Sequence, residues 1–148
     1  MRAMQEPSSA VDALRKISFF RDLTDPDLTR LADIGQRHSY EAGPVMVDED
    51  SEPGGLFVIL AGAAEVQAGG AVHMLGPGDF FGEMALLART RRTATVSATE
   101  PVEAMEFEPT NFREFLIENP SVSVTLLERV AERLNAAQQR READQAWW

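Results

Sequence analysis

The chain has 148 residues, is 44% hydrophobic and 26% charged, and sets 14 basic side chains against 24 acidic ones with no cysteine. That length suits one domain with a real core, the ordinary hydrophobic fraction argues against global disorder, and a net charge of −10 disfavours nucleic acid and anionic membrane as partners. Without cysteine there is no disulfide framework, thiolate nucleophile or sulfur-built zinc site. The longest mostly apolar run, Leu56 to Ala64, is far short of the roughly 20 residues of a spanning helix. The opening MRAMQEPSSAVD lacks the apolar stretch of a secretory signal. A cytoplasmic protein without membrane contact is the expectation.

In chain order, Val11, Leu14 and Ile17 predict a short amphipathic helix before Phe19-Phe20. Thr24 is a good N-cap for Asp25-Pro26-Asp27, and Leu28, Leu31 and Ala32 follow on one face. All ten glycines fall between Gly35 and Gly82, so turn chemistry is confined to the middle of the chain. The segments between breakers, Val45 to Val47, Leu56 to Leu60, Ala63 to Gln67 and Ala71 to Leu75, are too short for stable helices and predict strands joined by hairpins. Strand signals return in Arg92 to Ala98 and Val102 to Phe107. Many short strands with glycine turns indicate a sandwich, barrel or jelly roll. Thr110 is expected to cap a helix carrying Phe112, Phe115 and Leu116, which Asn119-Pro120 ends. Ser121 would then cap a longer helix with a stripe of Leu127, Val130, Leu134 and Ala137. The organisation expected is a segment 1–18 with the short helix, a domain 19–135 that includes the C-terminal helix, and a polar tail 136–148 ending in Trp147 and Trp148. Those tryptophans read either as a lid on a purine or as a frayed end.

The chemistry concentrates in Gly76 to Ala98, where Arg89, Arg91 and Arg92 crowd into four positions of an acidic protein. Just before them Gly82 permits close backbone approach, and Glu83-Met84-Ala85-Leu86-Leu87 can make a helical turn whose first N–H groups would face an anion. A guanidinium grips two phosphate oxygens side by side. A carboxylate such as Glu83 repels phosphate but accepts hydrogen bonds from sugar hydroxyls. Together they describe a pocket for a sugar phosphate, against the plainer reading of an ion pair between Glu83 and Arg92. Arg89 and Arg91 read as a solvated face or as ion pairs with the many acids. His38 and His73 have no second ligand at metal spacing and read as strand side chains.

The run Phe81-Gly82-Glu83-Met84-Ala85-Leu86-Leu87, followed by Arg92-Thr93-Ala94-Thr95-Val96, resembles the phosphate-binding cassette of cyclic nucleotide-binding domains, found in the catabolite activator protein, protein kinase A regulatory subunits and cyclic nucleotide-gated channels. The resemblance runs from about Phe19 to Leu134 and includes Gly43, Leu56 to Gly62 and Leu75 to Phe80. It implies a mainly β fold with flanking α-helices: an eight-stranded double-stranded β-helix, or jelly roll, with helices at both ends. It also implies that Glu83 binds the ribose 2′-hydroxyl and Arg92 the exocyclic phosphate oxygens. Backbone amides of Glu83, Met84 and Ala85 would add donors, with Phe81, Gly82, Thr93 and Ala94 completing the ligand set. Thr93 could reach guanine in a cGMP-preferring relative, or simply pack in its strand. Asp50 stands where many family members have glycine, and aspartate tolerates a left-handed turn.

The expectation is therefore a regulatory sensor, not an enzyme, that takes cAMP or cGMP as ligand and no cofactor or metal, and signals through its C-terminal helix. A homodimer through that helix and a partner protein are its expected assemblies. Two alternatives stand beside it. A cupin-type metalloenzyme would need clustered histidines and carboxylates, and a degenerate interaction module would have no use for Glu83 and Arg92. The helix-turn-helix output domain that follows this helix in related transcription factors is not among these residues, so the expectation is either a free-standing sensor that acts on a partner protein or a piece of a longer regulator, channel or kinase.

Overall fold

The computed structural model describes residues 9–43, 45–47, 55–68, 70–82 and 94–140. Three helical pieces open the chain. Helix α1 (Ala10–Arg15) starts at Ser9, whose side chain accepts from the Asp12 N–H. A 3-10 turn (Ser18–Phe20) follows, and then α2 (Asp25–Ile34), whose Thr24 cap accepts from the Asp27 N–H as its sequence predicts. Arg15 reaches Asp25 at 2.5 Å and ties the first helix to the start of the second. Leu14, Ile17, Phe20, Leu28 and Leu31 are all buried.

Eight strands follow: β1 (Gly35–Tyr40), β2 (Val45–Val47), β3 (Leu56–Ala61), β4 (Ala64–Ala68), β5 (Ala71–Leu75), β6 (Phe80–Phe81), β7 (Thr95–Ala98) and β8 (Val102–Phe107). They form two four-stranded antiparallel sheets, ordered β1-β8-β3-β6 and β2-β7-β4-β5. This is the jelly roll. Alternation along the central strands divides the core into two layers. Leu56, Val58, Phe80, Met105 and Phe107 face the helices, while Phe57, Ile59, Phe81, Val102 and Ala104 face the second sheet. Because β3 is covered on both faces, Leu56 to Ile59 is a continuous apolar run rather than an alternating one. The β3–β4 turn passes under the connection into β8. Gly62 sits there at φ +93°, and a Cβ would lie 2.0 Å from the Pro101 carbonyl oxygen, so only glycine fits.

Among the described residues two helices follow β8, α3 (Pro109–Glu118) and α4 (Pro120–Arg140). Both begin two residues earlier than their sequence suggests. Glu108, not Thr110, caps α3 by accepting from the Asn111 N–H, and Pro109 takes the first helical position, where its missing N–H costs nothing. Likewise α4 begins at Pro120 rather than after Ser121, with the Asn119 carbonyl accepting from the Val122 N–H at 3.0 Å. Asn119 is buried at the joint, and its side-chain amide donates to the Phe115 carbonyl at 3.0 Å. The face of α4 also differs from the expected stripe. Val122 and Leu126 are buried and Val130 packs against them, whereas Leu127 and Leu134 are 63% and 41% exposed. The side chain of Ala137 lies outside the described residues.

Candidate functional site

The cassette segment spans the two sheets. It leaves the first at Phe81-Gly82, after β6, and enters the second at Ala94, before β7. Phe81 is fully buried and stacks on Phe57 of β3, with ring centres 4.8 Å apart and planes 4° from parallel. Gly82 follows at φ +90°, a left-handed turn that L side chains resist, and it too is buried. Ala94 is buried in the same inter-sheet cluster as Phe81 and Phe57. The fold thus brings Phe81, Gly82 and Ala94 to the two mouths of one segment. Glu83, Met84, Ala85, Arg92 and Thr93, with Arg89 and Arg91, lie outside the described residues, as do Asp50, Trp147 and Trp148.

The approach to the cassette is held by the turn Gly76 to Asp79. The Asp79 carboxylate accepts from the Gly76 N–H at 2.8 Å, and the Gly78 N–H donates to the Ile59 carbonyl at 2.8 Å. Gly78 takes φ +90°. A rigid turn anchored on β3 fixes where β6, and so Gly82, must lie. The Gly-Pro-Gly-Asp run signals a turn in the sequence, but its attachment to Ile59 does not show there.

The inner face of β1 adds polar groups beside the aromatic stack. His38 Nε2 stands 2.9 Å from the Glu106 carboxylate, with the ring near Tyr40 and Phe57. Burial, joined by the Glu106 charge, raises the Tyr40 hydroxyl above its ordinary range. On the other face Glu103 receives Arg37 at 2.9 Å and the Ser39 hydroxyl at 2.6 Å. Among the described residues no group of three or more histidines, cysteines or carboxylates could hold a metal ion, and no helix is long and apolar enough to cross a membrane.

Two four-stranded antiparallel sheets with helices at both ends, joined between β6 and β7 by a glycine-led segment, define a helix-flanked jelly roll. Residues 37–119 match the family model of the cyclic nucleotide-binding domain, and the chain belongs to that family. It is 29% identical over 121 residues to a cGMP-dependent protein kinase, egl-4, of Caenorhabditis briggsae, covering 76% of this chain and 16% of the kinase. It is 33% identical over 118 residues to a cAMP-dependent protein kinase regulatory subunit of Eremothecium gossypii, covering 78% of this chain and 25% of that protein. The chain therefore spans a quarter or less of these two relatives. The cAMP-bound structure of PfPKA-R shares the fold with a TM-score of 0.78 at 24% identity, over 90% of this chain and 46% of that one.

Proposed function

We propose that this chain is a receptor domain that binds a 3′,5′-cyclic purine nucleotide without turning it over and reports occupancy through α4. The observation that carries this reading is the register of the cassette. Glycine, acid, small apolar residues and arginine fall in family order between Gly82 and Ala94, where the chain passes from one sheet to the other. Glu83 would accept from the ribose 2′-hydroxyl and Arg92 would grip the phosphate. In these roles Glu83 and Arg92 hold the sugar and the phosphate, so the reading is binding without hydrolysis. The names of the relatives, one cGMP-dependent and one cAMP-dependent, support the ligand class. A degenerate module that has lost its ligand is not favoured, since the cassette keeps both charged residues.

The exposed side of α4 supports the assembly. Val124, Leu127 and Leu134 are apolar and solvent-facing, and their spacing places them along one seam of the helix. A second copy, paired about a two-fold axis, would cover that seam, and a partner protein would read the change. The acidic, cysteine-free composition supports a cytoplasmic address. Isothermal calorimetry with cAMP and cGMP tests the central claim. Heat of binding, a raised melting temperature and unchanged nucleotide after incubation are expected. No heat and no thermal shift with either nucleotide at millimolar concentration would overturn it.

A further inference from the structure

Helix α4 reaches back to the strand that enters the cassette. Arg133 Nη2 donates to the Phe80 carbonyl at 2.5 Å, and its guanidinium carbon stands 4.4 Å from the centre of the Phe80 ring. The two residues are 53 positions apart. The place of β6 in its sheet accounts for the direction of the Phe80 carbonyl. Among the described strands β6 is an edge, paired with β3 alone. In an antiparallel pair, successive residues alternately turn their backbone groups toward the neighbour and away from it. The Asp79 carbonyl accepts from the Ile59 N–H at 2.9 Å and so faces β3; the carbonyl of Phe80, the next residue, is turned the other way, toward Arg133. Phe80 is 1% exposed, and a carbonyl in such a place must find a donor or cost stability. Arg133 supplies the donor and a flat cation for the ring face.

Phe80 is also where the two core layers meet. Its ring shares the helix-side cluster with Val122 and Leu126, and Phe81 beside it belongs to the inter-sheet cluster. Gly82 comes next. The apolar grip of α4 is carried by Val122, Leu126 and Val130, and Arg133 lies about one turn beyond. We propose that Arg133 is the positioning residue that fastens the C-terminal half of α4 to β6, so that displacement of the chain at Gly82 is carried into α4. The fastening stands on the contacts above; its response to ligand rests on the reading of the cassette as a nucleotide site.

Hydrogen exchange on the full chain tests both parts, comparing wild type, Arg133→Met and Arg133→Lys with and without saturating cAMP or cGMP. Without nucleotide, the α4 amides around Arg133 should exchange at least about tenfold faster in Arg133→Met, the size expected from losing a hydrogen bond to a charged group. Amides of β3 and β8 should be unchanged. Arg133→Lys, which keeps the charge but loses the planar fork, should fall between. If α4 exchanges equally in all three proteins, the fastening is refuted. With nucleotide, the change in α4 exchange seen in wild type should shrink by half or more in Arg133→Met while nucleotide still binds, and an undiminished change refutes the coupling. Should wild type bind neither nucleotide, the cassette reading fails and the nucleotide-free comparison alone decides the role of Arg133. If Arg133→Met does not fold, Arg133→Lys decides by the same comparison.

Discussion

Arg89 and Arg92 stand three positions apart in one cationic run, yet the cassette register assigns only Arg92 to the phosphate. A hydrogen bond to a charged group is worth roughly 1.5–3 kcal/mol, so Arg92→Ala should weaken nucleotide binding at least about tenfold, while Arg89→Ala should leave it nearly unchanged. Arg92→Lys should restore only part of the loss, because an ammonium cannot meet two oxygens in parallel. Equal losses at Arg89 and Arg92, measured by calorimetry, would show that the register is wrong. For selectivity the proposed residue is Thr93. Within the cassette its hydroxyl is the candidate for reaching guanine, so both nucleotides should bind with affinities within about two orders of magnitude of each other. Thr93→Ala should lower cGMP affinity and spare cAMP. Paired titrations that show equal losses for the two would reduce Thr93 to a strand residue.

Among the elements, α4 has two apolar sides with different tasks. The side holding Val122, Leu126 and Val130 packs on the roll, and the side holding Val124, Leu127 and Leu134 faces solvent. Truncating Leu126 leaves a hole in the core, whereas truncating Leu127 removes an exposed group. Leu126→Ala should cost about 2–5 kcal/mol, and Leu127→Ala about 0.5 kcal/mol or less in the monomer. Thermal unfolding at low protein concentration separates them, and comparable drops in melting temperature would mean that α4 sits rotated from the described packing. Ionic contacts also join the helices. Arg30 of α2 meets both Asp27 and Glu118 and lies 5.8 Å from the centre of the Phe115 ring, which joins α2 to α3. Such exposed pairs contribute little each, so the helical layer depends on Leu28, Leu31, Phe112 and Phe115.

At the scale of the whole molecule, the acidic charge and the solvent-facing seam of α4 act in opposite senses. A net charge of −10 keeps copies apart at low salt, and screening weakens that repulsion as salt rises. Analytical ultracentrifugation should therefore find a dimer that strengthens from low to physiological salt, and Leu127→Glu, which places a charge on the seam, should abolish it. A monomer at every concentration and salt, with and without nucleotide, would rule out the seam as an interface.

Short-range chemistry is legible in the chain itself. Thr24 before Asp-Pro-Asp announces α2, the glycine and proline breakers delimit β3, β4, β5 and β8 to within a residue or so, and the order of residues from Phe81 to Ala94 identifies the cassette. These signals are local because caps, turns and strand alternation depend on neighbours in sequence. The two-residue β6, the polar β1 and the face that α4 buries are not legible that way. Phe80-Phe81 is too short to show a period. Gly35 to Tyr40 is a strand through its register with β8. The stripes on α4 are both apolar, so sequence spacing could not choose between them. Only tertiary packing decided that Leu126 turns inward and Leu127 outward, and only tertiary packing brought Arg133 to the Phe80 carbonyl. A carbonyl turned away from its sheet neighbour meets a donor that the fold brings near, and that donor's identity is a long-range fact.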